Sequence, residues 1–152
     1  MVGSLKADPR KATPEMIARA NPPAGFEPIL SNSPFGWENG PIFERVDGSG
    51  RARGFRVAEK HINAGDACHG GMIMTFADIL LATAVFEVAE PPFVTVRMTT
   101  DFVGPAFEGE WLYGRASAHP AGDGMITVSG TMKVDERIVA TASGLFKALR
   151  SR

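Results

Sequence analysis

The chain has 152 residues, and its 16 lysines and arginines against 17 aspartates and glutamates give a formal net charge of −1. This length fits one domain, since domains usually span roughly 100–200 residues. A composition of 44% apolar and 22% charged residues excludes a disordered or collagen-like chain. Lysine and arginine never occur in runs longer than two, so we expect no nucleic-acid partner.

The chain carries a single cysteine, Cys68, which excludes an internal disulfide and is typical of a reducing compartment. The opening residues hold prolines and charges where a signal peptide has an apolar core. We therefore expect a cytoplasmic protein. The 17 glycines and 11 prolines exceed the usual roughly 7% and 5% of residues, and this excess of turn formers disfavours a simple helix bundle.

Residues 1–40 read as an N-terminal appendage, and we assign residues 41–152 to the main domain. Thr13-Pro14-Glu15 predicts the start of a short helix, because it combines a hydroxyl N-cap, a proline at the first helical position and an acid in the first turn. Asn21-Pro22-Pro23 ends that helix within two turns. The remainder of the appendage is predicted to be irregular chain.

A hairpin and a long apolar helix are predicted next. Residues 42–46 and 52–57 flank a turn of aspartate, glycine and serine. Residues 72–89 form the longest apolar stretch, which Pro91-Pro92 ends. Asp78 near its middle would cost about 2.5–3.5 kcal/mol in a membrane, so we expect a buried helix and no membrane partner.

The hydrophobic period changes from helical to two beyond this helix, which predicts strands over 94–102, 110–119, 126–134 and 138–146. In the first of these strands Val94, Val96, Met98 and Phe102 are expected to share one face. Several inner positions of the sheet hold small residues: Gly114, Ala116, Gly130, Ala140, Ala142 and Gly144. They leave room for a thick element, so we predict an α+β fold with an antiparallel sheet wrapped around the one apolar helix.

Asp78 is the anomalous residue of the helix, because aspartate is rarely buried unless it is paired. It is either a catalytic carboxylate or a structural residue with a polar partner. His69-Gly70-Gly71 stands directly before the helix, where unpaired N–H groups can bind a developing oxyanion. A plain glycine-rich helix start is the alternative.

Helix geometry constrains how these two features cooperate. Asp78 follows Gly71 by seven residues, so about two turns return it to the same face, roughly 10 Å farther along. A reacting carbon must lie roughly 3 Å from both the donors and the carboxylate. One helix cannot meet both conditions. If both features take part, the site requires an oligomer.

The run from Asn63 to Gly71 (NAGDACHGG), followed after five residues by Ala77-Asp78, resembles the hotdog-fold acyl-CoA thioesterases. The phenylacetate-degradation branch, related to one type of 4-hydroxybenzoyl-CoA thioesterase, is the most similar. The resemblance spans roughly residues 41–148. It implies a hotdog fold, hydrolysis of an acyl-CoA thioester, a homodimer at least and often a homotetramer, and no cofactor beyond the coenzyme A of the substrate.

The resemblance also implies residue roles. Asp78 would activate water or attack the thioester, and the Gly70 N–H of a partner subunit would polarise the carbonyl. Asn63 would bond the carbonyl or the water, unless it only forms an Asx turn. His69 would shape the pocket, and Thr95 would position water. Two further candidates are Gly71, which would let a ligand approach the backbone, and Arg97, which would bind a phosphate of coenzyme A. Ala82 departs from relatives that have a hydroxyl residue there.

The same residues allow other functions. Cys68 at the helix start is an alternative nucleophile, but no separately placed base accompanies it. His61 and His119 are expected on the surface, and no metal-ligand spacing occurs. A non-catalytic acyl-CoA or fatty-acyl binding protein is the main alternative function. A hotdog hydratase or dehydratase is less favoured, because the histidine–phenylalanine–proline–glycine motif of the dehydratases is missing.

Overall fold

The computed structural model describes residues 8–149, and the parts of the predicted appendage and main domain at 1–7 and 150–152 lie outside the described residues. The elements in chain order are α1 (Pro14–Ala20), β1 (Glu27–Pro28), α2 (Pro34–Asn39), β2 (Phe43–Asp47), β3 (Gly50–Arg56), a 3-10 helix (Glu59–His61), α3 (Gly70–Val85), β4 (Phe93–Phe102), β5 (Trp111–Gly122), β6 (Met125–Val134) and β7 (Arg137–Ala148).

The strands form one antiparallel sheet in the order β1-β2-β3-β5-β6-β7-β4. β1 lies within residues 1–40 and still pairs with β2. The domain boundary near residue 40 stays a prediction, but the chain before it takes part in the sheet.

The short helix α1 begins as predicted, with the Thr13 hydroxyl accepting a hydrogen bond from the Met16 N–H at 3.3 Å. A two-turn helix is marginal by itself. Here it is docked, because Ala20 is buried and its carbonyl accepts a hydrogen bond from Arg56 Nε at 2.8 Å. The Arg56 guanidinium also stacks over the Trp111 ring.

The helix α3 packs against the inner face of the sheet through Phe76, Leu80 and Leu81, which are fully buried. The small residues of the sheet make this approach possible. A Cβ added to Gly114 would lie 2.6 Å from Leu80 Cδ2, and one added to Gly144 would lie 3.2 Å from Leu81 Cδ1. The predicted α+β fold, a sheet wrapped around one helix, is confirmed.

The bounds of α3 differ from the predicted 72–89. The helix begins two residues earlier, because His69 caps it and its Nδ1 accepts a hydrogen bond from the Gly71 N–H. It ends at Val85, and residues 86–88 form a turn in which the Val88 N–H bonds the Val85 carbonyl. Within residues 8–149 no helix is long and apolar enough to cross a membrane.

The predicted alternation in β4 is wrong. A bulge at Val96 shifts the register, so that Thr95 pairs with Phe146 while Arg97 pairs with Leu145. Paired residues of an antiparallel sheet project to the same face, and Phe146 is buried against the core. The bulge therefore turns Thr95 toward α3 and leaves Val96 exposed.

Candidate active site

Asp78 lies in the middle of α3 and is partly buried. The Thr95 hydroxyl of β4 donates a hydrogen bond to Asp78 Oδ1 at 2.8 Å. Among the described residues no donor bonds the other oxygen, Oδ2. The β4 bulge thus orients one oxygen of the carboxylate and leaves the other able to accept a proton or to attack an electrophile.

A cavity of about 510 Å³, which we call the Asp78 cavity, lies beside this carboxylate. One wall is the exposed side of α3 and the opposite wall is the chain segment 29–37. The lining residues are Pro9, Ile29, Leu30, Ser31, Asn32, Ser33, Gly36, Trp37, Pro41, Ile42, Arg53, Asp78, Ile79, Ala82, Thr83 and Phe86. Its size and mostly apolar walls are typical of a small-molecule pocket.

The wall made by segment 29–37 is held by local polar contacts. Ser33 caps α2 by accepting a hydrogen bond from the Gly36 N–H at 3.1 Å. Trp37 Nε1 donates to the Ser31 carbonyl at 3.0 Å, and the Arg10 guanidinium lies 4.7 Å from the Trp37 ring centre. The irregular N-terminal stretch was expected to contribute to the pocket, but none of the predicted site residues lies in this segment. Its only sequence signal is a serine–proline helix start followed by aromatic residues.

The start of α3 offers fewer donors than its sequence suggests. The Gly71 N–H is already bound to His69 Nδ1 at 2.8 Å, and the Met72 N–H bonds the His69 carbonyl. Within the described part of the chain the Gly70 N–H makes no hydrogen bond. Gly70 borders a second cavity, of about 320 Å³, which we call the Gly70 cavity.

Asn63 stands in the loop before α3. Its Oδ1 accepts hydrogen bonds from the Gly65 N–H at 2.8 Å and the Ala67 N–H at 3.3 Å, which is the Asx turn that the sequence allowed. The same loop is joined to the helix start, because the His69 N–H bonds the His61 carbonyl at 2.7 Å. With its oxygen engaged, the exposed Asn63 side chain retains its NH₂ group as a donor.

The predicted site residues therefore form two clusters in one chain. Asp78 and Thr95 make the first, and Asn63, His69 and Gly70 make the second at the start of α3. Asp78 lies eight positions after Gly70 in α3, a distance of about 12 Å along the helix axis. One chain does not bring the clusters together. Arg97 belongs to neither, because it is exposed and projects from the face opposite Thr95.

The expectation that His61 lies on the surface is wrong, because its side chain is only 4% exposed. His61 Nδ1 accepts a hydrogen bond from the Ala58 N–H, so Nε2 carries the proton and donates to the Asn39 carbonyl at 2.9 Å. Burial lowers the pKa of His61, which favours this neutral form. His61 thus joins α2 to the chain leading to α3. His119 is exposed, as predicted.

The environment of Cys68 disfavours it as a nucleophile. The residue is buried, and burial raises the pKa of its thiol to about 11. A thiol with that pKa stays protonated near neutral pH, whereas the thiolate is the reactive form. In residues 8–149 no group of three or more histidine, cysteine, aspartate or glutamate side chains is placed to hold a metal ion.

Comparisons with known proteins identify the family. A sequence profile of the thioesterase superfamily matches residues 65–141. Over 129 residues the chain is 39% identical to a Pseudomonas aeruginosa protein named provisionally as an esterase, and the match spans 83% of this chain and 96% of that protein. The chain belongs to the thioesterase superfamily, and its enzyme class is thioester hydrolase.

Solved structures share the fold. The PaaI protein of the phenylacetic acid degradation operon of Escherichia coli has a TM-score of 0.68 at 22% identity, over 79% of this chain and 87% of that one. A Bacillus halodurans protein solved with coenzyme A has a TM-score of 0.65 at 25% identity, over 72% and 74% of the two chains. The predicted hotdog thioesterase fold is confirmed.

Proposed function

We propose that this thioester hydrolase acts on acyl-CoA, with Asp78 as the catalytic carboxylate. The observation that carries the proposal is the Thr95–Asp78 hydrogen bond at the wall of the mostly apolar Asp78 cavity. The cavity suits an acyl group, and the coenzyme A bound by the Bacillus halodurans neighbour supports the leaving group. We also propose that the enzyme is cytoplasmic, as its single cysteine suggests.

The reaction needs one group that accepts a proton from water and one N–H group that donates a hydrogen bond to the oxyanion. Asp78 Oδ2 takes a proton from water, and the oxygen of that water bonds to the thioester carbon. The negative charge that develops on the carbonyl oxygen is bound by the Gly70 N–H of a second subunit. The C–S bond then breaks, the thiolate of coenzyme A leaves, and the proton held by Asp78 passes to that thiolate. Direct attack by Oδ2 would expel the same thiolate and form a mixed anhydride, which water then hydrolyses to the acid. Neither route calls for a metal or cofactor.

A homodimer formed through β4 would complete this site. β4 is an edge strand of the sheet, and within residues 8–149 it pairs with β7 alone. Its outer edge presents unpaired backbone groups together with exposed Val94, Val96 and Phe102, which are 45%, 54% and 55% exposed. Exposed apolar edge strands readily pair with another copy of the chain. This edge therefore supports the predicted dimer, and the predicted tetramer remains a proposal.

The two clusters lie at opposite ends of β4, as such a dimer requires. Thr95 bonds Asp78, and a Cβ added to Gly70 would lie 3.4 Å from the Phe102 ring. If two β4 strands pair antiparallel about an axis through Thr99, Met98 of one chain lies opposite Thr100 of the partner subunit. Beyond the bulge at Val96, Thr95 then lies opposite Phe102 of the partner subunit. That register brings Asp78 toward Gly70 of the partner subunit.

The remaining candidates keep supporting roles in this proposal. Asn63 offers its NH₂ group to the carbonyl or the water, and it comes with Gly70 from the partner's cluster. His69 holds the Gly71 N–H, which shapes the helix start and lets substrate approach the backbone. Arg97 is exposed on the same edge strand, where its charge would bind a phosphate of coenzyme A.

A thiol-release assay over a panel of acyl-CoAs tests the function. Replacing Asp78 by alanine or asparagine should lower kcat by about 100-fold or more, since it removes the proton acceptor. Asp123→Asn, in the exposed turn between β5 and β6, is the matched control and should retain activity. Equal turnover by wild type and Asp78→Ala would overturn the role of Asp78. Absence of thiol release from every acyl chain would instead favour the acyl-CoA binding protein.

A further inference from the structure

Arg53 is a charged residue in the wall of the mostly apolar Asp78 cavity. It lies in β3, and its side chain is only 15% exposed. Its Nη2 bonds Glu44 Oε2 at 2.9 Å, while its Nε is buried with no hydrogen-bond partner. A guanidinium has five N–H donors, and a buried polar group is costly when its hydrogen bonds are unmade. Arg53 therefore keeps most of its donor capacity unused.

Other polar side chains in the same wall form hydrogen bonds with backbone groups. Ser31 Oγ accepts from the Ser33 N–H, and Ser33 caps α2. The Thr83 hydroxyl donates to the Ile79 carbonyl. The two serines each keep a neutral O–H donor. Arg53 is the charged donor of the wall, and its guanidinium has several N–H groups left for an acyl group.

The charges around Arg53 decide which acceptor suits it. Glu44 neutralises Arg53 and also bonds Arg51, whose Nε lies 3.5 Å from Glu87. The two arginines are therefore balanced by the two glutamates. Asp78 adds a further negative charge at the cavity. A further carboxylate on the acyl group would be repelled, because like charges in a poorly solvated site are costly. A neutral oxygen acceptor meets no such penalty.

We propose that Arg53 is a specificity-determining residue that selects acyl groups bearing a neutral oxygen acceptor, a hydroxyl or carbonyl, remote from the thioester. The proposal rests on the acyl-CoA thioesterase function. An N–H of the guanidinium donates to this oxygen while the apolar walls hold the rest of the acyl group. A site built to bond a substrate oxygen discriminates strongly against the analogue that lacks it, because its own polar groups are then left unpaired.

Matched straight-chain acyl-CoAs with and without a terminal hydroxyl, over several chain lengths, test this selection. For at least one length, wild-type kcat/KM should be about tenfold or more higher for the hydroxylated member, as expected for a hydrogen bond to a charged donor. Arg53→Met should bring this ratio close to unity. Arg51→Met is the matched control, since Arg51 shares Glu44 but does not line the Asp78 cavity, and it should keep the wild-type ratio.

A second variant covers the case in which Arg53→Met does not fold. Glu44→Gln leaves Arg53 in place without its counter-charge, so kcat/KM for terminally carboxylated acyl-CoAs should rise about tenfold relative to wild type. An unchanged ratio in folded Arg53→Met, or no gain in Glu44→Gln, would overturn the selection by Arg53.

Binding separates failure of this inference from failure of the thioesterase function. Calorimetry on Asp78→Asn measures the affinity for the same acyl-CoA pairs without turnover. If the hydroxylated member binds more tightly but no acyl-CoA is hydrolysed by wild type, the catalytic proposal fails and the selection stands. If hydrolysis occurs and neither rate nor affinity favours the hydroxyl, the selection alone fails.

Discussion

At the scale of single residues, Thr95 acts on Asp78 through one hydrogen bond. Its hydroxyl donates to Oδ1 at 2.8 Å, and this contact orients the carboxylate while Oδ2 stays free for the proposed reaction. Thr95 is therefore a positioning residue in the proposed mechanism, and its side chain differs from valine only by the hydroxyl.

Thr95→Val should lower kcat by about tenfold or more with little change in KM, since a hydrogen bond to a charged group is worth about 1.5–3 kcal/mol. Thr131→Val is the matched control, because Thr131 lies on β6, paired with Arg115 and Thr141 on the outer face and away from Asp78. Steady-state thiol release on both variants measures the effect. A normal kcat in Thr95→Val would show that Asp78 is oriented without this hydroxyl.

At the scale of elements, the contact between α3 and the sheet depends on glycine. A Cβ at Gly114 would lie 2.6 Å from Leu80 Cδ2 and 2.8 Å from the Thr131 carbonyl oxygen. The leucine can rotate away, but the strand carbonyl cannot move without disturbing the β5–β6 pairing. The packing of the helix that carries Asp78 is thus sensitive to one added methyl group.

Gly114→Ala should reduce the free energy of unfolding by about 1–3 kcal/mol, the usual cost of overpacking a core. Gly48→Ala serves as the control, since nothing lies within 4 Å of its added Cβ, and its effect should stay within about 0.5 kcal/mol. Urea unfolding followed by circular dichroism gives both values. Equal free energies of unfolding for the two variants would mean that α3 can shift away from the sheet at little cost in stability.

At the scale of the whole molecule, the proposed site combines Asp78 of one chain with Gly70 of the other. Gly70 is the first residue of α3, where proline is well tolerated, and His69 has the extended backbone that a following proline requires (φ −60°, ψ 136°). Gly70→Pro therefore removes the N–H donor while keeping the helix.

Gly70→Pro and Asp78→Asn should each lose activity by about 100-fold or more. Mixed by co-expression or by refolding, they should recover about a quarter of wild-type activity, because half of the dimers are mixed and each holds one intact site. Light scattering gives the size of the particle. Recovery that fails in proven mixed dimers would refute the two-chain site.

Local sequence patterns predicted many features of this protein correctly. The Thr13 cap, the apolar run around Asp78 and the period-two strands appear in the structure near their predicted bounds. The glycines at positions 114 and 144 meet α3 as predicted. The motif from Asn63 to Asp78 indicated the thioesterase family, which the comparisons confirm. Such signals lie within a few residues of one another, so the sequence alone determines them.

Contacts between distant parts of the chain were decided only by the tertiary structure. The bulge at Val96 turns Thr95 toward Asp78, because strand pairing and not sequence parity sets which face a residue occupies. His61 is buried because α2 supplies an acceptor at Asn39. Arg53 joins Asp78 in one cavity because segment 29–37 folds over α3. Each depends on the free energy of packing remote segments together, which a local pattern does not encode.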